Sequence, residues 1–250
     1  MEKTLLSSTD VNTGNAQASI GEVLTYQIAI TFPEGLTKEN GTDPLVTDTL
    51  PVGFQYFSSP SQSARISAVA DFNGGEIITS MAGTINGTPV TITPIVGGTV
   101  ETGQILGFDI GDVTNNDDQV TNDTDSEQLI ITYEALVLNT TDNNAGNAKS
   151  NVVSLQYQDG DGNALNSKDT VTLTLQEPDL GMSTALAPAG GDASGMETVT
   201  ITTKFFNSNS GNATTAYDLT FSDDLPDGFL GTGAGANAPT IVSATYTGDG

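Results

Sequence analysis

A nine-residue phrase occurs twice in this chain, and the two copies lie too far apart to belong to anything smaller than a domain. Val46-Thr47-Asp48-Thr49-Leu50-Pro51-Val52-Gly53-Phe54 returns as Phe221-Ser222-Asp223-Asp224-Leu225-Pro226-Asp227-Gly228-Phe229, a constant offset of 175 that sets Asp48 on Asp223 and Pro51 on Pro226. The same offset sets Glu22 on Glu197, Thr25 on Thr200, Leu5 on Leu180 and Ser8 on Ser183. Self-similarity at a fixed period marks a string of like modules. The 250 residues therefore divide into a first module over 1–177 and a second, related module over 178–250, truncated at its C-terminus. Strings of such modules extend, tether or adhere more often than they turn over a substrate.

Composition narrows the class. Hydrophobic residues make up 36% of the chain, enough for a core, and the rest is rich in Gly, Thr, Asn, Asp and Ser. β-branched residues in the apolar runs, with turn formers between them, predict an all-β fold. Thirty-one acidic residues against 6 basic ones give a net charge of −25. Such a surface repels nucleic acid and anionic lipid and offers many oxygen ligands to divalent cations. The chain has no cysteine and no histidine. Disulfides, thiol nucleophiles, Cys- or His-based zinc sites and His-based triads are excluded. No secretory signal pattern and no apolar run long enough for a bilayer span occur in the sequence, so direct membrane insertion is not expected.

Period-2 alternation places the strands. Leu24, Tyr26, Ile28, Ile30 and Phe32 share one face of Val23 to Phe32, and Asn151 to Tyr157 and Thr170 to Leu175 alternate in the same way. Gln128 to Leu138 is apolar on both faces, as a central strand would be. Polar loops are expected at 10–19, 33–43, 111–127 and 139–149, and a linker at Gln176-Glu177-Pro178-Asp179. The second module restarts at Leu180 and continues through 197–206 and 217–222. These patterns predict immunoglobulin-like β-sandwich modules in tandem.

Three polar residues stand where the alternation calls for a core residue. Lys3 shares a face with Leu5, Asp48 lies between Val46 and Leu50, and Asn151 precedes Val153, Leu155 and Tyr157. A lysine in the first strand, an acid in a middle strand and an asparagine near the last are the ingredients of an intramolecular isopeptide bond. Burial disfavours the ammonium form and frees the amine as a nucleophile. A carboxylic acid in the same dry pocket stays protonated, polarises the asparagine carboxamide and passes a proton to the departing ammonia. The reaction runs once, so no turnover enzyme is implied. Closing a loop of about 150 residues would contribute about 5 kcal/mol on the loop-entropy model used for disulfides.

Lys3 in an opening strand, Gly21-Glu22-Val23-Leu24-Thr25-Tyr26, the Asp48-Thr49-Leu50-Pro51-Val52-Gly53 element and Asn151-Val152-Val153-Ser154-Leu155-Gln156-Tyr157 together resemble the isopeptide-forming domains of bacterial fimbriae and adhesins. The resemblance covers roughly residues 1–175. It implies a crosslink from Lys3 to Asn151 with an assisting acid, Asp48 or alternatively Glu134. It also implies an extender module of a cell-surface adhesin or fimbrial protein outside a bacterial cell. Neighbouring modules of the same chain would then be its first partners, with a host, matrix or cell-surface ligand of unknown kind beyond them. The second module departs from the pattern: at the 175 offset Lys3 falls on Pro178, while Asp223 persists. That persistence leaves a plainer role open for Asp48, accepting backbone donors at a strand end.

The other candidates are weaker. Asp117, Asp118, Asp123, Asp125 and Glu127 crowd one loop, and calcium prefers several such oxygens, but their spacing fits no strict motif. No cofactor is required, and calcium is the one candidate ion. Asp159-Gly160-Asp161-Gly162-Asn163 begins like an EF-hand loop, but Ala164 stands where glycine is needed and Thr170 where glutamate is. A hairpin turn explains it. The alternative function, a ligand-binding adhesin domain recognising sugar or protein, is disfavoured for sugars by the absence of tryptophan. A hydrolase would need paired carboxylates in a cleft, and no motif pairs them.

Overall fold

Along Val23–Thr31 every second side chain is buried, and the same alternation runs through the middle of Ala148–Gln158. Each of these strands turns one face to a shared interior. The computed structural model describes residues 1–10, 13–14, 16–31, 35–37, 45–58, 64–69, 76–79, 83–84, 89–116, 128–158, 164–187, 200–207, 214, 216 and 220. Among them the strands are, in chain order, β1 (Glu2–Ser8), β2 (Gln17–Ser19), β3 (Val23–Thr31), β4 (Gly35–Thr37), β5 (Leu45–Thr49) and β6 (Phe54–Phe57). There follow β7 (Arg65–Val69), β8 (Glu76–Thr79), β9 (Gly83–Thr84), β10 (Val90–Thr91), β11 (Ile95–Thr99) and β12 (Gly103–Asp109). The last six are β13 (Val113–Asn116), β14 (Gln128–Val137), β15 (Ala148–Gln158), β16 (Ala164–Gln176), β17 (Leu180–Ala187) and β18 (Thr200–Asn207). No helix occurs among the described residues. The chain divides into two compact units, Met1–Thr215 and Ala216–Gly250, and all these strands lie in the first.

Two sheets build the sandwich. One runs β1-β3-β14-β7-β10, with β6 also pairing to β14; the other runs β11-β12-β5-β15-β16-β2. The opening strand, its hairpin neighbour β3, then β14 and its further partners form one layer, while β5, β15 and β16 form the other. That is the A-B-E-D and C-F-G arrangement of an immunoglobulin-like sandwich, with β12 added beyond β5. The opening segment serves both layers: β1 pairs antiparallel with β3, and β2 pairs parallel with β16. A single buried cluster joins the inner faces, with Leu24, Ile28, Leu129 and Ile131 from one sheet against Val46, Leu106, Val153 and Leu173 from the other. Sheets packed face to face interdigitate in this way about 10 Å apart.

The expected central strand is central: β14 lies between β3 on one side and β6 and β7 on the other. Three of the expected loops contain a short strand, since β2 lies within 10–19, β4 within 33–43 and β13 within 111–127. Strands of three or four residues are too short to show a period.

The turn after β5 explains much of the repeated phrase. Gly53 has φ of 87°, and a side chain there would overlap the Asn143 carboxamide. Gly53 N donates to Val100 O at 2.9 Å, Phe54 N to Pro51 O at 3.0 Å, and Asn143 Nδ2 to Gly53 O at 2.9 Å. Lys149 Nζ caps the same turn through Val52 O at 3.1 Å and holds Asp142 O at 2.8 Å.

Residue 177, where the sequence suggests a module boundary, lies between β16 and β17, within the first compact unit. β17 and β18 form a separate two-stranded sheet, but not in the register that the offset of 175 requires. Ser8 faces Leu24 in the first module, so Ser183 would face Val199; it faces Lys204 instead. The observed register sets Met182 against Phe205 and Leu186 against Ile201, apolar on apolar along one face.

Candidate functional site

Lys3, Asp48 and Asn151 meet between the two sheets. Each is positioned by register. Lys3 pairs with Ile28 on β3, two residues from Tyr26, and Tyr26 faces Tyr133 on β14. In the opposite layer Asp48 pairs with Val153 on β15, two residues from Asn151. Residues two apart on a strand share a face, so one sheet presents Lys3, Tyr26 and Tyr133 to Asp48 and Asn151 of the other.

The pocket is dry: the Lys3 and Asp48 side chains are 0% exposed, and Tyr26, Tyr133 and Asn151 are buried. Lys3 Nζ donates to Asp48 Oδ2 and, at 3.1 Å, to Tyr133 Oη. Asn151 Nδ2 donates to the same Tyr133 oxygen at 2.9 Å. The lysine and asparagine nitrogens therefore sit two hydrogen bonds apart, with one hydroxyl between them. Tyr26 and Tyr133 stack with centroids 5.5 Å apart, and Phe108 lies 5.6 Å from Tyr133. Lys3 Nζ stands 5.1 Å from the Tyr26 ring centroid and 5.6 Å from that of Tyr133, within cation–π range. From outside the pocket, Asp169 on β16 accepts the Lys3 backbone N–H at 2.6 Å and fixes the strand.

Burial sets the electrostatics. It lowers the Lys3 ammonium to about 8, against the opposing pull of the Asp48 charge. It raises the Asp48 carboxyl above the usual carboxylate range, with Lys3 pulling the other way. Burial also holds the Tyr133 hydroxyl well above its ordinary value, so it keeps its proton. The first two displacements both favour the uncharged pair, amine with carboxylic acid. Asp48 Oδ1, Asn151 Oδ1 and the Tyr26 hydroxyl in this pocket have no hydrogen-bond partner within bonding geometry, although the Tyr26 hydroxyl lies near enough to Asn151 to feel its carboxamide. Buried polar atoms are normally satisfied. A proton on Asp48 would supply the donor that the carboxamide oxygen lacks.

Glu134, the alternative acid, follows Tyr133 in β14 and so faces away from the interior, where it is half-buried. Burial raises its carboxyl as well. The acidic loop residues Asp117, Asp118, Asp123, Asp125 and Glu127 lie outside the described residues, as do Asp159 to Asn163 and the second phrase around Asp223. Among the described residues no group of three or more acidic side chains is placed to hold a metal ion.

Sequence reasoning missed Tyr133 as a member of the site, and Asn143 and Lys149 as the clamp on the turn after β5. Alternation along β14 marks Tyr133 as inward-facing, but only the pairing of β14 with β3 brings it to the lysine.

No family model and no curated protein matches the chain. Similar solved structures include the collagen-binding subdomain of the Enterococcus faecalis surface protein ACE, 12% identical over 69% of this chain and 93% of that one, with a TM-score of 0.36. The C-terminal domain of the Streptococcus agalactiae AgI/II polypeptide BspA is 14% identical over 69% of this chain, TM-score 0.41; the match spans 49% of its length. BcpA, the major pilin subunit of Bacillus cereus, is 12% identical over 86% of this chain and 65% of that one, TM-score 0.38. The immunoglobulin-like fold stands on the strand order above.

Proposed function

We propose that residues 1–177 form an extender module of a bacterial surface adhesin or fimbrial protein, stapled by a self-formed amide between Lys3 and Asn151. One observation carries the reading: a buried lysine on an acid whose other oxygen, like the asparagine carboxamide oxygen, has no donor. The ammonium proton passes to Asp48, leaving amine and carboxylic acid. Lys3 Nζ then adds to Asn151 Cγ while the Asp48 proton supports the developing negative oxygen. The Nζ–Cγ bond forms, the Cγ–Nδ2 bond breaks, and ammonia leaves with its hydrogens balanced by one from the amine. The crosslink joins the opening strand of one sheet to β15 of the other. A spacer built of repeated modules profits from such a staple because it has no disulfides. Its location outside the cell and its pairing with neighbouring modules belong to the same reading.

The competing outcome is an amide between Lys3 and Asp48, its ion-pair partner, with loss of water. Intact mass of the denatured protein separates the outcomes. A deficit of one ammonia, absent in Lys3→Ala and in Asn151→Ala, is the expected result. A deficit of one water moves the bond to Asp48, and full mass removes the crosslink.

A further inference from the structure

The Tyr133 hydroxyl accepts from both nitrogens of the exchange, 3.1 Å from Lys3 Nζ and 2.9 Å from Asn151 Nδ2. Addition of an amine to a carboxamide leaves a proton surplus on the attacking nitrogen. The departing nitrogen, no longer conjugated with the carbonyl, becomes basic and needs a proton to leave. Asp48 cannot readily serve both ends of this transfer, since its proton is engaged at the carboxamide oxygen.

We infer that Tyr133 is a catalytic residue that relays this proton from Lys3 Nζ to Asn151 Nδ2. The inference rests on the crosslink reading above. As Nζ gives its proton to Oη, the O–H proton moves to Nδ2, so the hydroxyl is regenerated and no charge accumulates on the phenol. Ammonia then departs as the carbonyl re-forms, and Asp48 retains the proton it first took from the ammonium. The same contact orients the carboxamide, with Nδ2 held by Tyr133 and Oδ1 unpartnered.

Packing supports the assignment. Tyr133 is clamped between Tyr26 and Phe108, which leaves its ring little freedom and keeps its oxygen at the crossing point. Tyr56 on β6 provides an internal control, because its hydroxyl accepts from Ala64 N at 3.3 Å and makes no hydrogen bond to Lys3 or Asn151.

The test follows the fraction of ammonia-deficient protein by intact mass, at purification and during incubation. Wild type, Tyr133→Phe and Tyr56→Phe are compared, with folding checked by circular dichroism. The wild type is expected to be fully converted at purification, with Tyr56→Phe close to it. Tyr133→Phe is expected mainly at full mass, converting about a hundredfold more slowly, the low end of what a positioned proton-transfer group contributes. Conversion of folded Tyr133→Phe at the wild-type rate overturns the relay and leaves the crosslink standing. Wild type at full mass overturns both. Site-specific 3-fluorotyrosine at position 133 covers the case in which Tyr133→Phe fails to fold. It retains the ring and both contacts but alters hydroxyl acidity, so a relay requires a changed conversion rate and an unchanged rate overturns it.

Discussion

Two lysines of this protein sit on neighbouring inward positions of the sandwich, and only one of them has the surroundings for chemistry. Lys3 meets a carboxyl group and a tyrosine that also holds Asn151. Lys149, two residues before Asn151 on β15, hydrogen-bonds the main-chain carbonyls of Val52 and Asp142 and feels the Asp142 carboxylate only at a distance, while Asn143 holds the carbonyls of Gly53 and Leu138. Burial lowers both ammonium groups. A carbonyl cannot take the ammonium proton, whereas a carboxylate can, and that difference separates a reactive pair from a clamp. A buried lysine beside an asparagine is therefore insufficient evidence of a crosslink; the acid is what decides.

Asp48→Ala should break the contrast most severely. It removes the proton acceptor and leaves Lys3 facing no opposite charge in its pocket, a change worth about 3–5 kcal/mol for a buried pair losing one member. The variant should have full mass and a lower melting temperature. Asn151→Ala should also have full mass while keeping the ion pair, with stability lost up to the loop-closure contribution of about 5 kcal/mol. Thermal melts of these variants against wild type measure both effects. Lys149→Ala should do the reverse: the ammonia deficit is kept, and stability falls by about 1.5–3 kcal/mol from the lost charged hydrogen bonds. A full-mass Lys149→Ala would erase the distinction drawn here. Gly53→Ala, forced into a left-handed backbone against Asn143, should cost about 1–3 kcal/mol by denaturant unfolding, with the mass deficit unchanged.

The smallest effect is a pH dependence, read in Asn151→Ala where Lys3 stays titratable. Lys3 folded lies near 8 and unfolded near 10.5, so between those values the unfolded chain binds more protons and stability should rise with pH. Asp48 is displaced upward, so the folded state holds a proton the unfolded chain has released, and stability should fall as pH climbs above the ordinary carboxylate value of 3.8. Denaturant midpoints across pH 4 to 10 for Asn151→Ala should show a minimum between these limbs. In the crosslinked wild type Lys3 is an amide and the upper limb should be absent.

Much of the site was legible because burial in a strand has a period of two. Lys3, Asp48 and Asn151 break their own alternation, and a polar residue on an apolar face is visible in one dimension. Partners supplied by another strand are not. Tyr133 looks like an ordinary core aromatic until β14 is set beside β3, and Lys149 looks like a solvent-facing strand residue until its amine is seen over the turn at Val52. The repeated phrase was read as domain repetition, and its glycine and proline find their reasons in a turn gripped by side chains about 90 residues downstream. The register of β17 with β18 shows the limit of a constant offset, because pairing is set by which apolar residues can face one another.

The parallel contact of β2 with β16 fixes how the first module would respond to tension. Gln17, Ala18 and Ser19 lie against Thr174, Leu175 and Gln176, with strand directions the same. A pull on the chain ahead of β2 and on the chain beyond β16 draws two parallel strands in opposite directions along their length. Their hydrogen bonds are then strained together in shear and must rupture together, whereas a hairpin pulled at its open end unzips one rung at a time. Those three rungs would therefore resist such a pull more than an equal number opened one at a time from a hairpin's end.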